Sequence, residues 1–193
     1  MERTNVAEHE NIRNLLEKAK EGDRPAFKAI VTLYQQKVFA LAYSILRNRE
    51  DAMDLVQETF LRLYQKLDAY EREKNFQAWL LQIAKNLCID YYRKNYSKRR
   101  EMESPKGLED LNLAADDGPN NPVSSDLRQI FSRCLEKLGD RQRLIFIMKH
   151  YNGLQYQEIA QVLNISVGTV KSLHFKAVRN LRTSLSPQLR LES

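Results

Sequence analysis

The sequence is poor in glycine, proline and cysteine, and it has no long apolar run. Six glycines and five prolines among 193 residues leave room for long uninterrupted helices, so we expect an almost all-α protein. The two cysteines, Cys88 and Cys134, have no CxxC or histidine-rich spacing, which argues against structural zinc and against a disulfide framework. No stretch approaches the ~18 consecutive apolar residues of a membrane span, and the first thirty residues lack the apolar segment of a signal peptide. We therefore expect a soluble, cytoplasmic protein.

Residue constellations for covalent chemistry are also missing from the sequence. It contains no paired catalytic carboxylates, no glycine-rich phosphate loop and no nucleophile next to a base. His9, His150 and His174 are isolated from one another along the chain, and surface or packing roles account for them. The sequence therefore predicts a protein that is not an enzyme and that has no cofactor, no metal and no small-molecule substrate.

The charge balance is basic. Lys and Arg number 31 against 25 Asp and Glu, which gives a net charge of +6 and a pI near 9.3. This balance favours a polyanionic partner such as a nucleic acid.

Apolar residues recur at spacings of three and four through most of the chain, as in amphipathic helices. The predicted helices cover 11–21, 24–46, 51–68, 76–96, 126–138, 140–151 and a final helix pair within 155–182. Gly22 is predicted to end the first helix and Asp23 to cap the second, with Pro25 in its first turn.

Between Glu101 and Asp126 there are seven acids and one base. We interpret 97–124 as a flexible acidic linker, or an ordinary solvated tether, between domains 1–96 and 125–193.

Residues 155–182, QYQEIAQVLNISVGTVKSLHFKAVRNLR, have the pattern of a helix-turn-helix. Such a motif needs a small residue where its helices cross and a residue that tolerates positive φ in its turn. Ala160 and Asn164 fill these two positions. Ser166 is placed to cap the second helix.

The second helix of this motif is basic, with no acid between residues 171 and 190. We expect the residues near the start of this helix to contact base edges in a major groove, and the basic residues that follow them to contact phosphates. The candidate residues are Gly168, Thr169, Lys171, Ser172, His174, Lys176 and Arg179. A solvated basic face on a structural helix pair is the alternative.

A second basic helix lies earlier in the chain, from Phe76 onward. Lysines and arginines follow Lys85, with Tyr91 and Tyr92 interleaved among them. Basic groups among aromatic rings suit an unpaired strand, because rings stack on bases while cations hold phosphates. The alternative is a solvated helix end with tyrosines used for packing.

Three stretches, DAMDLVQETFLRLYQKL (51–67), FQAWLLQIAKNLCIDYYRK (76–94) and the segment 138–173, together resemble one family in order along the chain. It is the extracytoplasmic-function (group IV) sigma factors of bacterial RNA polymerase, in the sigma-70 family. The stretch 51–67 is similar to the polymerase-binding stretch of region 2. FQAWLLQIAKNLCIDYYRK (76–94) is similar to its promoter-melting stretch. LGDRQRLIFIMKHYNGLQYQEIAQVLNISVGTVKSL (138–173) is similar to region 4. The resemblance implies an all-α fold of two small helical domains, sigma region 2 and sigma region 4, joined by the linker.

The resemblance also implies roles for individual residues. The surface for core RNA polymerase comprises Asp54, Gln57, Glu58 and Phe60. The surface for the minus-ten element comprises Tyr70, Asn75, Trp79, Asn86, Asp90, Arg93 and Lys94, and the loop from Tyr70 to Asn75 captures a flipped base. Lys171, Ser172 and Lys176 match the recognition helix for the minus-thirty-five element. Promoter DNA and an anti-sigma factor, commonly membrane-bound in this family, are the further implied partners.

The sequence departs from the family pattern after the VKS triplet. The family commonly has Arg and then Leu there, whereas this chain has Leu173 and His174. Promoter preference therefore cannot be carried over from relatives.

Two other classes of function remain open from the residues alone. One is a self-sufficient DNA-binding repressor or activator with a helical effector domain, which would have no need of the acidic outer face of the 51–67 helix. The other is a protein that acts mainly as the bound partner of a sequestering factor.

Overall fold

The computed structural model describes the backbone of residues 2–71, 74–99 and 125–189. Within these ranges the chain is helical and contains no strand. The helices are α1 (Glu2–Lys20), α2 (Arg24–Leu46), α3 (Arg49–Gln65), α4 (Phe76–Arg99), α5 (Ser125–Glu136), α6 (Asp140–His150), α7 (Tyr156–Leu163) and α8 (Val167–Leu189), with a 3-10 turn at Leu67–Ala69. Most of the predicted linker 97–124, from residue 100 onward, lies outside the described residues. So do positions 72 and 73 of the predicted base-capturing loop.

Helix α2 begins and ends at clear local signals. The Asp23 carboxylate accepts a hydrogen bond from the Ala26 N–H at 3.1 Å, as predicted for its capping role. At the other end Arg47 adopts a left-handed conformation with φ of 53°, and its N–H donates to the Tyr43 carbonyl. By length and composition alone α2 would be able to cross a membrane. In this fold Ile30, Val38 and Leu41 are fully buried against other helices, as in the central helix of a core.

Helices α1 to α4 form an N-terminal unit around α2, which packs against the other three. Several boundaries of these helices differ from the prediction, and α1 and α3 give two examples. Helix α1 begins at Glu2 rather than at residue 11, and α3 ends at Gln65 rather than continuing to residue 68. The Lys66 N–H is shared between the carbonyls of Arg62 and Leu63. This tightening of the last turn leads into the 3-10 turn.

Helices α5 to α8 form a C-terminal unit in which α8 contacts each of the other three. Ile145, Met148 and Ile159 are fully buried in it. Leu154, between α6 and α7, is equally buried and fills the turn. The small apolar side chain of Ala177 lets α8 lie close to its neighbours.

The two units are packed against each other, an arrangement that the sequence left open. Helix α6 lies on α2, and α7 lies on α4. Both buried clusters contain residues from both units: one joins Leu41 and Leu81 with Met148, and the other joins Leu46 with Leu135. The interior of the protein is therefore continuous across the boundary between its halves.

Candidate nucleic-acid and polymerase interfaces

The turn between α7 and α8 has the predicted helix-turn-helix geometry. Asn164 is left-handed, with φ of 54° and ψ of 51°, and it ends α7. The Ile165 N–H then donates to the Ala160 carbonyl at 3.1 Å. Ser166 caps α8, because its hydroxyl oxygen accepts the Thr169 N–H at 3.0 Å. Ala160 is buried at the crossing, as a small residue there must be. The predicted roles of Asn164, Ser166 and Ala160 are confirmed.

The first turns of α8 face outward. Gly168, Thr169, Lys171 and Ser172 are exposed, and Lys176 and Arg179 continue this basic face. A side-chain carbon at Gly168 would meet only the Ser166 hydroxyl, at 3.7 Å. The start of the helix therefore has open space around it and could enter the major groove of a DNA duplex.

His174 is placed differently from its predicted neighbours. Its ring is half-buried between α6, α7 and α8, with Nε2 lying 2.8 Å from Nε2 of His150 and Nδ1 lying 3.1 Å from the Tyr156 hydroxyl. Burial lowers the pKa of His174, and the charges of His150 and Lys149 lower it further. Because both ring nitrogens are engaged inside the unit, His174 can position α8. It would reach a base only by giving up these bonds.

Two apolar residues of α8 were missed by the sequence reasoning. Phe175 is 68% exposed and Val178 is 41% exposed. Phe175 lies one helical turn from both Lys171 and Arg179. Their exposure could have been predicted from the sequence. Phe175 and Val178 fall outside the apolar stripe that contains Val170, Ala177 and Leu181.

Helix α3 carries the residues predicted for polymerase binding. Asp54 and Gln57 are exposed, and the half-buried Glu58 is paired with Arg62 at 2.9 Å. Phe60 is only 5% exposed and packs in the core. It therefore holds α3 in place and does not form part of the exposed surface. The same outer surface carries three exposed large hydrophobic residues that the prediction omitted. They are Met53, Leu61 and Tyr64.

Along α4, the residues predicted for the minus-ten element share an exposed outer surface. Asn86, Asp90, Arg93 and Lys94 are all exposed. Tyr92, which precedes Arg93 in the chain, is half-exposed, and burial lowers the pKa of the partly buried Lys85. Cations beside an accessible ring are the combination that suits a single strand.

The start of α4 is built from aromatic rings and a cap. The ring of Trp79 lies 5.2 Å from that of Tyr70, and Phe76 packs against both. Asn75 caps α4 by accepting the Ala78 N–H at 3.0 Å. Its amide also donates to the Glu158 carboxylate of α7 at 2.7 Å. The structure therefore brings Tyr70, Asn75 and Trp79 together, at the edge of the C-terminal unit.

Within the part of the chain that the structure describes, no three His, Cys, Asp or Glu residues come together in a group that could hold a metal ion. Cys88 and Cys134 are both free and buried. Burial raises the pKa of the Cys88 thiol to about 12.

Comparison with known families matches both halves of the chain. The family model of sigma-70 region 2 matches residues 30–98, and that of sigma-70 region 4 matches residues 128–181. The ECF RNA polymerase sigma factor SigW of Bacillus subtilis (strain 168) is 35% identical over 180 residues, covering 90% of this chain and 96% of SigW. The ECF RNA polymerase sigma-E factor of Escherichia coli (strain K12) is 32% identical over 187 residues, covering 91% of this chain and 95% of that factor.

Two solved structures share this fold over most of the chain. The sigma factor RpoE of Bartonella quintana, in complex with the anti-sigma factor NepR, has a TM-score of 0.68 at 25% identity, covering 83% of this chain and 96% of RpoE. CnrH, in complex with the cytosolic domain of CnrY, has a TM-score of 0.61 at 25% identity, covering 95% of this chain and 99% of CnrH. Relatives matched along nearly their whole length and a helix-turn-helix with the expected turn lead to one conclusion: the chain belongs to the ECF sigma factors of the sigma-70 family.

Proposed function

We propose that this protein binds core RNA polymerase through α3, reads the minus-ten element with the start and outer face of α4, and reads the minus-thirty-five element with the start of α8. The observation that carries the proposal is the presence in one chain of two separate exposed surfaces suited to DNA. One is the open start of α8 at Gly168 to Ser172, and the other is the face of α4 from Asn86 to Lys94.

The minus-ten surface combines the parts needed to hold a melted strand. The amide of Asn75 can bond a base edge, and the rings of Tyr70 and Trp79 can stack against bases. Extruding a base costs a few kcal/mol, which these contacts would offset. Arg93 and Lys94 would hold the backbone phosphates.

The minus-thirty-five surface is expected to read a duplex. Lys171 and Ser172 would reach base edges, and Lys176 and Arg179 would contact phosphates. Phe175 adds an apolar group that can contact a thymine methyl. His174 would act by holding the helix in place.

The domain boundaries, location and regulation are parts of the same proposal. Domains 1–96 and 125–193, with the linker 97–124 between them, are supported by family matches at 30–98 and 128–181. The protein would work in the cytoplasm, where polymerase and chromosome are, as a specificity subunit that does no covalent chemistry itself. A protein partner that blocks its activity is supported by the likeness to RpoE, which was solved with an anti-sigma factor.

The first test is co-elution of the full chain with core RNA polymerase at about 0.15 M salt, where the Debye length is ~8 Å and weak charge attraction is screened. We expect a stoichiometric complex. Asp54→Ala with Gln57→Ala should weaken it without lowering the melting temperature, because both side chains are exposed. The matched control is Glu21→Ala with Gln36→Ala, an exposed acid in the turn after α1 and an exposed amide on α2. Equal loss in both variants would contradict the role of α3.

The second test is transcription by this holoenzyme from a library of randomised duplexes. Recovery of templates that share two separated motifs would support the proposal. Tight binding to one duplex motif without polymerase, and no transcription with it, would favour a repressor instead.

A further inference from the structure

The recognition surface at the start of α8, from Gly168 to Ser172, belongs to a helix that is held to its neighbours by one histidine. His174 of α8 lies on the inner side of the helix, two residues beyond this surface. Its Nε2 lies 2.8 Å from Nε2 of His150, the last residue of α6, and its Nδ1 lies 3.1 Å from the hydroxyl of Tyr156, the first residue of α7. His174 therefore joins α8 to both other helices through its two ring nitrogens.

The two histidines, which we call the histidine pair, share a third ring. The centroid of Phe146 lies 4.4 Å from that of His150 and 6.4 Å from that of His174. Phe146 and His150 both belong to α6, whereas His174 belongs to α8. Whichever ring turns away when the two Nε2 atoms separate, the polar contact between α6 and α8 at this point is lost.

The bond within the histidine pair depends on how many protons the two rings carry. In the neutral pair one Nε2 donates and the other accepts, so a single N–H fits between them. The hydroxyl of Tyr156 can either donate to Nδ1 of His174 or accept from it. When both rings are protonated, each Nε2 carries a hydrogen, no acceptor remains, and two positive charges face each other.

The charges around the histidine pair keep it neutral at pH 7.5. Burial lowers the pKa of both histidines, and the charge of Lys149 on α6 lowers both further, as that of His150 does for His174. From α7 the facing titratable group is the hydroxyl of Tyr156. On α8 the charged residue one turn away, Lys171, is exposed and adds positive charge to the same helix. The pair therefore gains its protons below about pH 6.5, the ordinary histidine pKa.

We infer that His150, although it lies outside the helix that reads DNA, is a positioning residue for the minus-thirty-five surface, and that full protonation of the histidine pair weakens recognition of this element. The inference rests on the proposed function, because it takes the start of α8 as the minus-thirty-five surface. Without the bond to α6, the first turns of α8 adopt several positions. Only a fraction of the molecules then presents Lys171 and Ser172 correctly, and the apparent affinity falls with that fraction.

The link between the histidine pair and the recognition surface is tested by NMR on the free full-length chain from pH 7.5 to 5.5. Ring signals of the two histidines report their protonation, and the backbone amide signals of Lys171 and Ser172 report the surface. We expect the amide signals to shift with the same midpoint as the ring signals in the parent. They should stay fixed in His174→Leu, which introduces the residue that the family commonly has at this position. Amide signals that do not follow the titration of the rings would overturn the inference.

The effect on DNA reading is tested with the holoenzyme at constant salt. Two dissociation constants are measured, one for a promoter recovered from the randomised library and one for the same promoter with its upstream motif scrambled. Their ratio is the discrimination for the minus-thirty-five element. Because polymerase and the rest of the promoter are common to both measurements, their own dependence on pH cancels in the ratio.

We expect this discrimination to fall about threefold or more between pH 7.5 and 5.5 in the parent. It should not change with pH in His150→Phe, which keeps a ring against Phe146 but takes up no proton. Melting temperatures at both pH values check that each chain is folded. Discrimination that stays constant or rises in the parent, or that falls equally in His150→Phe, would overturn the inference. Absence of any discrimination by the parent at pH 7.5 would instead count against the proposed function.

Discussion

The Nε2 atoms of His150 and His174 lie 2.8 Å apart, although the two residues belong to different helices of the C-terminal unit. Their ring centroids are 5.0 Å apart. This distance is about what is expected when the two Nε2 atoms lie on the line that joins the two ring centres. The rings therefore meet nearly head to head, and one N–H fits between them. A second proton at this point would set two N–H groups against each other.

This pair makes the stability of the protein depend on pH. Burial lowers the pKa of His150, helped by the charge of Lys149, and burial together with the charges of His150 and Lys149 lowers the pKa of His174. The unfolded chain therefore binds more protons below about pH 6.5, the ordinary histidine value. We expect the full stabilisation above that pH and a progressive loss as the pH falls towards the lowered folded values. Urea unfolding measured between pH 7.5 and 5.5 tests this.

The matched variants for this measurement are His150→Phe and His9→Ala. The phenylalanine keeps a ring against Phe146 but removes the titrating pair, so its stability should vary less with pH. His9→Ala should keep the parental pH dependence. An unchanged profile in His150→Phe would show that other groups cause the effect.

The left-handed backbone at Asn164 predicts a graded response to substitution. Asn164→Val should lower the free energy of unfolding by about 1–2 kcal/mol, because a branched side chain disfavours this conformation. Asn164→Gly should change it by no more than about 0.5 kcal/mol, since relief of strain offsets the entropy of glycine. Gln161→Val, at an exposed helical position of α7, is the control. Equal effects of the two valines would argue against strain at Asn164.

The exposed ring of Phe175 predicts sensitivity to a single methyl group in the minus-thirty-five element. Replacing the contacted thymine by deoxyuridine should weaken binding about fourfold, the worth of one buried carbon. In Phe175→Ala the same replacement should have no effect, and this difference is the coupling that a thermodynamic cycle isolates. Binding of holoenzyme to promoters with single thymine replacements is the measurement. Sensitivity retained in Phe175→Ala would assign the methyl contact to another residue.

Neither native thiol should react while the protein is folded. Cys88 and Cys134 are buried, and burial raises both pKa values, that of Cys88 to about 12. Because the thiolate is the reactive form, a disulfide reagent at pH 8 should label them only as fast as the protein opens. Gln36→Cys supplies an exposed thiol for comparison. Native thiols that react as fast as this one would contradict the packing around them.

Much of the fold is predictable from the sequence because its signals are local. The apolar stripe of α2, the cap at Asp23 and the turn at Asn164 each depend on a few neighbouring residues, and each is confirmed. The polar residues exposed on α3 and α4 are predictable for the same reason. Resemblance to the family then places these surfaces in order along the chain.

The unpredicted features depend on contacts between residues far apart in sequence. Arg143 looks like a surface residue of a basic helix, and its burial depends in part on the Ser44 carbonyl, which is 99 residues away. His174 lies within a run of exposed residues and turns inward because His150 and Tyr156 meet it. Phe60 matches a residue of the polymerase-binding surface in the family. In this fold its side chain is buried, because other helices pack over it.

The burial of Arg143 has a consequence for the cooperativity of opening. A buried charge is stable only while its acceptors stay in place, and a small sliding of α6 on α2 would withdraw the Ser44 carbonyl before water could replace it. Loss of this bond would therefore leave a buried charge without its acceptor. We expect α6 to leave α2 in a single cooperative step rather than by gradual loosening.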